Sequence, residues 1–115
     1  MTLPEQKGQK AFELRNARDI LEKLRWELNN LFLRQPHDVV VCQYHAFNCA
    51  VTAWHVTDWL WQDIPSELRT QIGQAAGRPI NCLSDFQNYI RLQCPALNLC
   101  YEISRGAKHC IVGRK

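Results

Sequence analysis

The chain has 115 residues, 46% hydrophobic and 22% charged, a balance that fits one domain with a buried core and excludes extended disorder. Its formal net charge of +3 is unevenly shared: residues 1–60 carry seven basic and seven acidic groups, residues 61–115 seven and four. No apolar run reaches the length of a membrane span, and the opening MTLPEQKGQK lacks the apolar stretch of a secretory leader.

The first predicted helix runs from about Gln9 to Leu33, with residues 1–8 as a flexible lead-in. Leu14, Ala17, Leu21, Leu24, Leu28 and Leu31 recur by threes and fours and form one apolar seam. Arg15, Asp19, Lys23 and Glu27 stand four apart with alternating sign, the pattern of a solvated ion-pair ladder. Trp26 widens the seam. Gln35-Pro36 ends the helix, because the residue before proline avoids the α region.

A second helix is predicted over about 39–62, capped by Asp38. From Val39 to Trp61 it contains one acid, Asp58, and no Lys or Arg. Cys42, Ala46, Cys49, Ala50, Ala53, Val56 and Leu60 share one side, flanked by Phe47, Trp54 and Trp61. A helix apolar nearly all round is the central helix of its domain, and its alanines let neighbours approach closely.

Beyond Asp63-Ile64-Pro65, a short helix is expected from about Pro65 to Ile72, with Gly73 as its stop. GQAAGRP (73–79) then reads as a loop. Asn81 or Ser84 caps a helix to about Gln93, Ser84 and Gln87 fitting a capping box. A last helix runs from about Ala96 to Arg105, with Gly106 in the left-handed position past its end. Cys110-Ile111-Val112 reads as a short strand or extended tail. The predicted fold is all-α: an antiparallel bundle of four or five helices around the central apolar helix, one domain over 1–115. Residues 106–115 form a basic tail, in which Lys108 is a candidate contact to RNA or an acidic protein.

Three groups of residues could carry function. On the central helix, Tyr44, Asn48, Thr52, His55 and Trp59 lie within about 80° of one another at 100° per residue, and Asp58 follows His55 at i+3. A carboxylate beside an imidazole fixes its tautomer and prepares it for acid–base work or binding. Cys42, His45 and Cys49 lie within about 60°, and thiolate with imidazole suits zinc. Paired spacings such as CxxC are absent, so no cofactor is expected.

The third group lies in ISRGAKH, residues 103–109. Arg105 and His109 near the end of a helix in a small bundle resemble the motif of the HEPN ribonucleases. That family places an Arg and a His four to six residues apart and brings two copies together. The resemblance implies metal-independent RNA cleavage, with Arg105 stabilising charge on phosphorus and His109 moving protons. Three residues separate the pair here, a departure from the family spacing. TAWHVTDWLW and GAKH together also resemble a group of small bacterial helical proteins, from which no activity follows.

Six cysteines without a leader point to reduced thiols and the cytoplasm, with Cys42 and Cys49 too far apart along one helix to bridge. No Walker loop, dinucleotide fingerprint, nucleophile elbow or HExxH pair is present. The reading that follows is a helical interaction module binding a protein partner or a second copy of itself. Its four tryptophans supply anchors and its small size leaves apolar surface to cover.

Overall fold

The computed structural model describes residues 14–33 and 38–109, with side chains to residue 106. Among them are five α-helices and no strand: α1 (Ala17–Leu33), α2 (Val39–Asp63), α3 (Ser66–Ala76), α4 (Leu83–Gln93) and α5 (Pro95–His109). The fold is the predicted all-α bundle, and α2 is its central helix, packed on α1, α4 and α5.

The first helix begins later than predicted. Leu14 to Asn16 are not helical, and Gln9 to Glu13 lie outside the described residues, as does the lead-in 1–8. The reason is a cap. The Asn16 Oδ1 accepts the Asp19 N–H at 2.9 Å, and the Asp19 carboxylate accepts the Arg15 N–H at 2.8 Å. The α1–α2 pair is antiparallel, tied at one end where the Ala17 N–H donates to the Asp63 carboxylate at 2.7 Å.

The buried stripe of α1 departs from the predicted seam. Ala17 and Ile20 are buried, whereas Leu21 is 49% exposed. Leu24, Glu27, Leu28 and Leu31 are half-buried, so Glu27 sits on the packed side and not on a solvated ladder.

Asp38 caps α2 as expected, its carboxylate accepting the Val41 N–H at 3.2 Å. The helix buries Cys49, Ala50, Thr52, Trp54, Thr57 and Trp61, all in its C-terminal two-thirds. The expected close approach at Ala46 does not occur, because Ala46 is exposed and Ala53 only half-buried. At the far end Trp61 packs with Ile80 and Phe86, its ring centroid 5.4 Å from that of Phe86. Ile72 and Ala76 of α3 and Leu83, Tyr89 and Ile90 of α4 surround this cluster.

Gly73 does not stop α3. The helix continues to Ala76 and ends on Gly77, whose φ of 74° is left-handed. Gly73 serves a different purpose: a Cβ there would lie 3.2 Å from the Arg78 carbonyl and 3.4 Å from the Ile80 nitrogen. Its bare backbone lets the returning chain pass close over the helix. Cys82, neither Asn81 nor Ser84, occupies the cap position of α4, and Gln87 joins no capping box. Instead the Asp85 carboxylate accepts the Asn81 N–H at 3.1 Å. That bond, helped by Cys82, holds the Asp85 pKa below its ordinary value. Pro95 starts α5 at the position where its missing N–H is harmless. Gly106 lies inside α5, which runs on to His109, so it is not the predicted stop. Cys110 to Val112 lie outside the described residues.

Candidate functional site

Among the described residues, exposed large apolar side chains occur on α3, α4 and α5, as at Leu92 and Leu99, and several more lie at the end of the α1–α2 hairpin where the two helices are joined. Leu33 is 79% exposed, Val39 62%, Val40 51% and Tyr44 64%. Trp26, on the second half of α1, is 65% exposed, and Phe47 39%. No charged residue occurs in α2 before Asp58. This end therefore offers water apolar surface unbroken by charge along its longer helix. Scattered apolar side chains on a surface are ordinary, and their number at this end makes it a candidate interaction site.

The predicted polar stripe of α2 is divided by the fold. Tyr44, Asn48 and His55 are exposed, Thr52 is buried, and Asp58 and Trp59 are half-buried. Asp58 turns to α4, its carboxylate accepting from the Gln87 amide at 2.9 Å. The same amide donates to the Thr57 hydroxyl at 2.8 Å, and that hydroxyl donates to the Trp54 carbonyl at 2.7 Å. Thr57 is the most deeply buried side chain described, so this network satisfies a polar group in the core.

Thr52 takes part in a second polar seam, between α1 and α2. The Lys23 ammonium donates to the Thr52 hydroxyl at 2.9 Å and to the Glu27 carboxylate at 2.7 Å. Glu27 is 13% exposed in its side chain, and its second oxygen, Oε1, is buried without a partner. Burial, then the nearby Glu27 charge, raise the Cys49 thiol above its ordinary pKa, and Lys23 opposes them. Burial and Cys94 raise Cys100 likewise. Thiols so placed ionise less readily than a free cysteine. Composition and periodicity placed Glu27 with solvent. The signal that it belongs inside was its position on the stripe Ala17–Ile20–Leu24–Glu27–Leu31, which keeps strict three-four spacing.

Cys42 and His45 are half-buried and Cys49 is buried. Among the described residues no three His, Cys, Asp or Glu side chains are grouped as metal ligands. Cys49, Cys82, Cys94 and Cys100 are free thiols. Arg105 is exposed, its guanidinium 5.9 Å from the Tyr101 ring centroid. The unbroken course of α5 sets Arg105 and His109 one turn apart on a single helix. The side chains of Lys108 and His109 lie outside the described residues. No described helix is long and apolar enough to cross a membrane. No protein-family description, no curated protein and no solved structure matches this chain.

Proposed function

We propose that this protein is a helical interaction module of the cytoplasm that works by binding, with a second copy of itself as its first partner. One observation carries the reading: Leu33, Val39, Val40 and Tyr44 are exposed at the end of the α1–α2 hairpin where α2, from Val39 to Thr57, carries no Asp, Glu, Lys or Arg. Two such hairpins meeting about a two-fold axis cover each other's apolar ends and complete a four-helix arrangement. A stable interface needs about 800 Å² from each copy. The exposed side chains of Leu33, Val39, Val40, Tyr44 and Trp26 are the apolar groups such an interface would draw on. Removing an aromatic anchor from such a centre weakens association by about 2 kcal/mol or more, at least thirtyfold. Sedimentation velocity over a concentration series tests the reading. The wild type is expected to dimerise in the micromolar range, and Trp26→Ala with Tyr44→Ala to remain monomeric and fully helical. A wild type that stays monomeric throughout the series rules out self-association.

A second reading is favoured by the course of α5. A HEPN-like, metal-independent ribonuclease brings an Arg and a His close together, and the continuous α5 supports that reading by setting Arg105 and His109 one helical turn apart, at a spacing shorter than the family's. Single-stranded RNA incubated with the protein and a chelator is the test. Cleavage that disappears in His109→Ala, with an unchanged melt, supports this reading, and intact RNA removes it.

A further inference from the structure

Away from the hairpin end, two clefts adjoin across Arg78. The first, of about 510 Å³, draws its polar lining from Ser66, Arg69, Thr70, Gln74, Arg78 and Asn81. The second, of about 430 Å³, adds Asn88, Arg91 and Asn98. Among the described residues no carboxylate lines either one. Each volume falls within the range usual for small-molecule sites, about 300–1,000 Å³.

Two of the three arginines are held in place before any ligand arrives. The Arg69 guanidinium lies 3.7 Å from the Trp61 ring centroid and donates to the Trp61 carbonyl. Its Nε is buried with no acceptor, and it forms no ion pair among the described residues. Arg91 donates from Nε to the Asn98 side chain at 2.8 Å and stacks 3.8 Å from the Tyr101 ring centroid. A Glu102 carboxylate oxygen stands 3.8 Å from it. Arg78, between them, is exposed and likewise forms no ion pair among the described residues. Asp85 lies within electrostatic reach of Arg78, but its carboxylate is engaged by the Asn81 N–H.

A guanidinium kept half-buried on an aromatic ring without a carboxylate has charge left to satisfy. Planar guanidinium donors match the oxygens of phosphate, and the side-chain amides of Asn88 and Asn98 offer donors and acceptors to a base or sugar. We infer that the joined clefts bind a phosphate-bearing ligand of nucleotide size. The phosphate sits on Arg69 and Arg78, and the remainder extends past Arg78 toward Asn88 and Asn98. That phosphate can belong to a free nucleotide or to a short stretch of RNA backbone.

Isothermal titration with inorganic phosphate, AMP and a short single-stranded RNA tests the site. Saturable binding is expected, with AMP tighter than inorganic phosphate because it fills the second cleft as well. Arg78→Gln should weaken binding about tenfold, the scale of one charge-assisted hydrogen bond, with an unchanged circular dichroism spectrum. Arg18→Gln, an exposed change on α1, should leave binding as it is. RNA tighter than AMP, with steep salt dependence, identifies the strand as the source of the phosphate, and RNA no tighter than AMP identifies the nucleotide. The assignment is overturned if none of the three probes saturates, if Arg78→Gln binds like the wild type, or if Arg18→Gln weakens binding equally.

Discussion

The two ends of α2 differ in what covers them more than in what they are made of. From Cys49 to Trp61 the helix lies under α1, α4 and α5, and it buries two tryptophans, two threonines, an alanine and a cysteine. From Val39 to Asn48 it carries three valines, a tyrosine and a phenylalanine, and no side chain there is buried. Apolar character alone did not bring side chains inside. Neighbours did: α3 and α4 gather about the end that holds Trp61 and Phe86, and α5 packs on the middle of the helix through Tyr101 against Trp54. The covered end even accepts polar groups, because Gln87 and Lys23 reach in to satisfy Thr57 and Thr52. Among the described residues the open end keeps apolar side chains exposed, and the proposed interaction module rests on that exposure.

The sharpest way to break this comparison uses one residue type at both ends. Trp61 is 7% exposed and Trp26 is 65% exposed. Trp61→Ala removes a ring from the cluster with Ile80 and Phe86 and the platform beneath Arg69, and should cost about 3–5 kcal/mol. Trp26→Ala, measured under conditions where the chain is monomeric, should change stability by no more than about 0.5 kcal/mol. Urea denaturation of both variants checks the pair. Equal losses mean that the hairpin end is already covered within one chain, and the interaction reading loses its footing.

How far the sequence foretold this follows from what periodicity can see. The helices were legible because their apolar spacing is local, as were the Asp38 cap and the centrality of α2. The α1 seam was off by one residue at Ile20, since both Leu21 and Ile20 suit a helical stripe and only the position of α2 chooses between them. Glu27 was misplaced for a related reason: its charge signals solvent, and the Lys23 and Thr52 groups that accommodate it are visible only in three dimensions. The polar stripe from Tyr44 to Trp59 is real as a stripe. Its division into a buried Thr52 and exposed Asn48 and His55 is decided by which neighbour lies over each position. The arginine clefts had no sequence signal at all, because Arg69, Arg78 and Arg91 sit on three separate segments, and only the fold sets Arg78 beside Arg69 in one cleft and beside Arg91 in the other.

Glycines 73 and 106 carry the smallest of these effects and the most discriminating sign. Both were expected to end helices, and both lie inside or against one. In an open helix interior, replacing glycine by alanine restricts the unfolded chain and should stabilise by about 0.5–1 kcal/mol. Gly106 meets that condition, with nothing within 4 Å of an added Cβ. Gly73 does not. Its Cβ would press on the Arg78 carbonyl at 3.2 Å, and that backbone is fixed by the Arg78 N–H donating to the Gly73 carbonyl at 3.1 Å and by the left-handed Gly77 between them. Gly73→Ala should therefore destabilise, by about 1 kcal/mol after the helical gain is subtracted. Thermal melts of the two variants should move in opposite directions. If Gly106→Ala destabilises instead, α5 ends in a left-handed turn at that residue. Arg105 and His109 then no longer share a helix, and the ribonuclease reading loses the observation that favours it.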